Sequence, residues 1–187
     1  MTVKFLMVKI IRMKQLTMSL LVALSTLMNY ANSKDINSNI GNTLMFLLPS
    51  SAAAIAFYKE DEDGLWQLGA SELTTAGITY WLKYSVNQTG PNGDSRSFPS
   101  GHAAITFSAA QFLQDRYGLE YGLPAYLLAG YTAYSRVDGH YHYWSEVITG
   151  AAIGVISSHY FTEPLNNFKL GFTVAPKSAS INIRTIW

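Results

Sequence analysis

Between residues 35 and 165 the chain falls into apolar runs of helical length separated by short polar breaks, and this alternation restricts it to a bundle of helices. Helices are predicted over residues 43–58, 64–86, 100–117, 121–135 and 144–161, lengths of roughly 15–22 residues by periodicity. The breaks are chemically distinct. "KEDEDG" is a charged turn, "NQTGPNGDSRSF" a polar loop, Gly118 a helix stop and "RVDGHYHY" a connection. "DINSNIGN", residues 35–42, reads as a loop, and Pro49 as an interruption of the first helix. The runs are rich in Ala, Gly, Ser and Thr, which let helices approach closely. None reads as a clean, charge-free span of a bilayer. The expectation is therefore an all-α, compact bundle of about five helices rather than a polytopic membrane protein.

The segments flanking residues 34–165 read differently. Lys4, Lys9, Arg12 and Lys14 precede an apolar stretch from Met18 to Met28, and Ala31 and Ser33 offer small residues beyond it. Residues 1–33 thus read as an export signal cleaved near Lys34, with a retained anchor as the other reading. Export places the mature chain in the periplasm, associated with a membrane. At the other end Phe168, Leu170, Phe172 and Val174 alternate, and Ile181, Ile183 and Trp187 resume a rough alternation. This predicts a short β-hairpin within residues 166–187. A net charge of +1 gives no field to attract nucleic acid, and the absence of Cys excludes disulfides and thiolate metal sites.

Three polar clusters stand at helix ends. They are "KYSVNQTGP" from Lys83 to Pro91, "PSGH" from Pro99 to His102, and "SRVDGHYHYWSE" from Ser135 to Glu146. Lys83 and Arg136 are fixed cations, and an Arg fork matches phosphate. The Ser100 hydroxyl and the backbone N–H groups of Gly101 and His102 form an anion nest at a helix N-terminus. Two histidines, His102 and His142, could then work on a bound phosphorus, one attacking and one protonating the leaving oxygen. Glu146 shares a helical face with His142 if that helix starts early, and could orient its imidazole. Other residues read more simply. His140 bonds locally, His159 closes a helix, Asp94 and Asp138 are turn residues, and "GAAIG" at 150–154 is a helix contact.

In this order and spacing the clusters resemble the type 2 phosphatidic acid phosphatase superfamily, which includes class A acid phosphatases and vanadium haloperoxidases. The family pattern is K-x6-RP, then PSGH, then SR-x5-H-x3-D. Here it reads Lys83-x6-Gly90-Pro91, Pro99-Ser100-Gly101-His102 and Ser135-Arg136-x5-His142-x3-Glu146, across residues 43–162. The resemblance implies a phosphohistidine mechanism with no metal and no cofactor. It implies His142 as nucleophile, His102 as general acid, and Lys83, Ser100, Gly101, His102 and Arg136 as phosphate holders. Gly90 stands where the family has Arg, and Glu146 where it has Asp. Arg96, just before the PSGH turn, could supply the missing fork. The expected activity is hydrolysis of a phosphomonoester or diphosphate, with a phosphorylated lipid or small phosphate ester as partner at a membrane surface. A weakened or inactive member that binds phosphorylated lipid, and a vanadate-dependent haloperoxidase, are the alternatives.

Overall fold

Small residues decide how these helices meet. The computed structural model describes residues 34–165, with side chains from Asn37 onward, and the backbone of residues 168–175 and 178–185. Five helices follow one another among the described residues: α1 Lys34–Tyr58, α2 Glu62–Val86, α3 Gly101–Tyr117, α4 Leu119–Asp138 and α5 Trp144–Phe161. Helix α3 is central and touches each of the other four. Its inward residues Ala103, Ala104, Ala109 and Ala110 are completely buried. Helix α5 lies on it backbone to backbone, because Gly150 and Gly154 face the carbonyls of Ser100 and Ala104, where any Cβ would collide. "GAAIG" is a helix contact, in keeping with its composition. The starts of α3 and α5 are thereby fixed side by side, and Ser100 N donates to Glu146 O at 3.0 Å.

A core of Leu48, Ala52, Leu68, Phe112, Leu113 and Ala125 fills one part of the bundle. A smaller cluster of Ala103, Ala133 and Val147 lies under the starts of α3 and α5. The opposite end is closed by a buried ion pair. Arg116 donates to both Asp61 oxygens, at 2.5 and 2.7 Å, and its Nη1 donates to Glu163 O at 2.8 Å. The Tyr117 hydroxyl donates to the same carboxylate.

Helix α1 departs from the sequence reading in three ways. "DINSNIGN" is helical rather than a loop, and the helix runs unbroken through Pro49. Tertiary bonds outweigh the loop preference of Asn and Ser. Asn37 bonds Asp138 and Tyr131, and Arg136 bonds Ser38 O and Asn42. Leu48 and Ala52, both buried, hold the turn around Pro49 against α3 and α4. Finally, Asn37–Tyr58 is charge-free, long enough and apolar enough to cross a membrane, which corrects the expectation that no run is. Helix α4 also starts earlier and ends later than predicted, taking Arg136 into its last turn.

The backbone of Phe168–Ala175 pairs antiparallel with Ser178–Thr185, from Phe168↔Thr185 to Ala175↔Ser178. The expected export signal at residues 1–33 lies outside the described residues.

Candidate active site

The site forms where α1, α3 and α5 begin and α2 and α4 end. His142 lies in the connection just before α5, and Glu146 sits in that helix's first turn. The carboxylate reaches back twice. Oε2 accepts from Tyr143 N at 3.3 Å, capping the helix start, and meets His142 Nδ1 at 2.7 Å. Ser97 Oγ donates to the same oxygen at 2.5 Å and stands 2.9 Å from His142 Nδ1. Gln88 Nε2 donates to Oε1 at 3.2 Å. Glu146 is completely buried. A carboxylate accepts only, so His142 carries its proton on Nδ1 and presents a lone pair at Nε2. The early helix start assumed for this pair is not needed, and the extra methylene of Glu146 does not break the contact.

Cations surround this imidazole. Lys83, in the last turn of α2, donates from Nζ to the carbonyls of Arg96 and Ser97 at 2.9 and 3.1 Å. Burial lowers its pKa, and the charge of Glu146 pulls it back up. Arg136, in the last turn of α4, is buried, and each of its nitrogens has a bond. Nε donates to Ser135 Oγ at 3.2 Å, Nη1 to Asn42 Oδ1 at 2.8 Å and Nη2 to Ser38 O at 2.5 Å. Burial lowers the His142 pKa, while its bond to Glu146 opposes the shift. His102, in the first turn of α3, is pushed down to about 4, first by burial and then by the charges of Arg136, His142 and Lys83. The four groups are therefore close enough to act on one another electrostatically.

Ser100 stands at the N-cap position of α3, but its hydroxyl makes no capping bond. Oγ is buried and has no partner among the described residues. An orphaned buried hydroxyl is costly, about 1–3 kcal/mol, unless a ligand uses it. Gly101 opens α3 with space around its Cα: a methyl placed there would meet nothing nearer than Thr79 Cγ2 at 3.9 Å.

Lys83, Ser100, Gly101, His102, Arg136, His142 and Glu146 thus gather at one end of the bundle. Arg96 is set apart. Its backbone is left-handed, and its guanidinium lies 4.3 Å over the Tyr84 ring, exposed to solvent. Gly90 is buried against Ser97. His140 Nδ1 meets Asp138 O at 2.9 Å, and exposed His159 pairs with Asp115 at the far end of α5. Sequence reasoning missed Ser97, Gln88, Ser38 and Asn42. Gln88 lies inside the Lys83–Pro91 stretch and Ser97 two residues before Pro99, so proximity to the motifs was the available signal. Nothing local marked the α1 pair.

An imidazole lone pair among fixed cations, beside an unpartnered buried hydroxyl at a helix start, suits phosphoryl transfer. A family model described as the PAP2 superfamily matches residues 64–168, and the chain belongs to that family. The chain is similar to a lipid A 4'-phosphatase of Helicobacter pylori strain J99, 33% identical over 135 residues, which cover 66% of this chain and 68% of that protein. It is also similar to a lipid A 1-phosphatase of Porphyromonas gingivalis, 35% identical over 101 residues, covering 47% of this chain but only 23% of that protein. Among solved structures, Aquifex aeolicus LpxE shares the fold, with a TM-score of 0.61 and 23% identity over 75% of this chain and 93% of that one.

Proposed function

We propose that this chain is a lipid phosphate phosphatase that works through a phosphohistidine at His142. The carrying observation is the way Glu146 and Ser97 hold Nδ1, which leaves Nε2 as the nucleophilic atom. Nε2 attacks phosphorus while the bond to the leaving oxygen breaks and that oxygen takes a proton from His102. Water then attacks phosphorus as the phosphorus–nitrogen bond to Nε2 breaks, gives a proton back to His102, and inorganic phosphate is released. Lys83, Arg136, Ser100 and the N–H groups of Gly101 and His102 hold the phosphoryl oxygens, so the reading requires no metal. Glu146 stabilises the imidazolium formed on attack. Arg96 could join them only by leaving Tyr84.

The relatives' names support a phosphorylated glycolipid of the lipid A class as substrate. The molecular surface supports a lipid environment. Phe57, Trp66 and Tyr160 are exposed towards one end of the bundle, and Tyr80, Trp81 and Trp144 towards the other. Leu73, Leu123, Leu127, Ile148 and Ile156 are exposed between them. Large apolar side chains exposed along the helices, with aromatics at two levels, suit contact with a bilayer. We read the chain as membrane-associated and active on the periplasmic side, with the paired strands after Leu165 as a hairpin tail to the all-α domain.

The test is inorganic phosphate release from lipid A phosphates, phosphatidate and p-nitrophenyl phosphate, with wild type beside His142→Ala. Turnover by wild type, lost in His142→Ala and retained in EDTA, is expected. Full activity in His142→Ala would remove the nucleophile assignment. Loss in EDTA with recovery on adding Mg²⁺ would remove the metal-free mechanism.

A further inference from the structure

We propose that Asn42, on α1, is the positioning residue of the general acid. It fixes which nitrogen of His102 faces the leaving group. This rests on the phosphatase reading above and concerns a residue outside the family-matched region, residues 64–168.

One oxygen carries the inference. Asn42 Oδ1 lies 2.8 Å from Arg136 Nη1 and 2.9 Å from His102 Nε2. A guanidinium can only donate, so the Asn42 atom facing it is the carbonyl oxygen and not the amide nitrogen. That oxygen bears no proton. His102 must therefore carry one on Nε2, whether its ring is neutral or charged. The proton it can deliver sits on Nδ1. When the leaving oxygen departs, the Nδ1 proton moves to it, and His102 is left as the neutral Nε2–H tautomer, still bonded to Asn42.

The two histidines are backed by opposite chemistry. Behind His142 stands a buried carboxylate, which favours positive charge on the ring and so favours attack on phosphorus. Behind His102 stands a neutral carboxamide already bonded to a cation, which does not favour positive charge. A ring so placed is the stronger acid. Differently tuned neighbours of the same residue type mark acid and nucleophile. Helix α1 is anchored for this task at two further points, because Arg136 Nη2 donates to Ser38 O and Tyr131 donates to Asn37. Asn42 itself is exposed, so replacing it empties no core.

The experiment compares kcat/KM for dioctanoyl phosphatidate and p-nitrophenyl phosphate. An alkoxide must be protonated as it leaves; p-nitrophenolate need not be. Any loss through Arg136 falls on both substrates, whereas a loss through the acid falls on the first. Asn42→Leu is expected to lower kcat/KM for the phosphatidate about 10- to 100-fold more than for p-nitrophenyl phosphate, a fraction of what a general acid supplies. Asn42→Asp keeps an acceptor for both partners but adds charge behind the ring. It should move the alkaline limb of the phosphatidate pH profile to higher pH. Equal losses on the two substrates, no loss at all, or an unmoved limb in Asn42→Asp would overturn the assignment while leaving the phosphatase reading intact. Wild type that releases phosphate from neither of these substrates nor from a lipid A phosphate would overturn both.

Discussion

The family pattern alone suggests that Gly90→Arg should repair the site by restoring a phosphate donor. The geometry around Gly90 argues the reverse. A Cβ built at this position would stand 2.7 Å from Ser97 Oγ and 2.9 Å from Ser97 Cβ. Ordinary contact for a Cβ begins near 3.4 Å, so Ser97 would have to retreat by about 0.7 Å. It has little freedom to do so, because its hydroxyl is held by Glu146 Oε2 at 2.5 Å and lies 2.9 Å from His142 Nδ1. The displacement therefore passes to the pair that aims the nucleophile. A misplacement near 1 Å costs about 100-fold in rate, and over-packing a tight site costs about 1–3 kcal/mol of stability. Gly90→Ala, which adds only the methyl, should lower kcat about 10- to 100-fold. Gly90→Arg should do no better. The assay is steady-state phosphate release, with thermal unfolding of each variant to separate loss of fold from loss of aim. A Gly90→Ala enzyme at or above the wild-type rate, or a Gly90→Arg enzyme that gains activity, would refute the steric argument and restore the missing-donor account.

Glu146→Gln should lower kcat about 1,000- to 10,000-fold, because the amide can present its NH₂ to Nδ1 and favour the wrong tautomer. Glu146→Asp, although it follows the family pattern, should also lower kcat, since a shorter chain withdraws the oxygen now 2.7 Å from Nδ1. Asp61→Ala strands the buried Arg116 charge and should cost about 3–5 kcal/mol in chemical denaturation, while Asp61→Leu with Arg116→Met should cost much less. Burial and neighbouring cations hold His102 at about 4 and lower His142 as well, so a bound dianion that offsets the cations should raise both values. Tungstate binding should then take up protons and weaken as pH rises, which calorimetry in buffers of different ionisation enthalpy would detect, and zero uptake would count against it. In the free protein the same depressed His102 should cost stability as pH falls from 6.5 towards about 4, because the unfolded chain binds that proton first.

Much of the site could be read from the chain because its chemistry is concentrated at helix ends, and helix ends leave local marks. Lys83 precedes a polar break, Pro99 and Gly101 frame the start of α3, and Arg136 precedes Gly139. Helix α1 could not be read in this way. Asn37, Ser38 and Asn42 are poor helix formers, and their partners Tyr131, Arg136 and Asp138 lie more than 90 residues away. No local pattern reports a bond of that separation. Ser97 and Gln88 are hidden for a related reason. They are polar residues in a polar loop, and only the folded loop turns them onto Glu146. The role of Gly90 escapes the sequence because a sequence shows which side chain is missing, not what occupies its space.

The order of the motifs follows from the direction of the helices. With connections at residues 59–61 and at Gly118 on one side, and 87–100 and 139–143 on the other, α1, α3 and α5 begin where α2 and α4 end. Helix starts carry unpaired N–H groups and partial positive charge, while helix ends carry carbonyls and partial negative charge. An anion site at this end gains directly from α3, whose first turn bears Ser100, Gly101 and His102. The ends of α2 and α4 would repel an anion unless covered, and each places a cation in its last turn, Lys83 and Arg136. Lysine, then Ser-Gly-His, then arginine, then His-x3-Glu is thus the sequence in which an up-and-down bundle presents end, start, end and start to one face. The longer connections fall on that face because they carry the work. Residues 87–100 hold Gln88 and Ser97, and 139–143 hold His142, while the three-residue and one-residue links opposite only close the bundle over the Asp61–Arg116 pair.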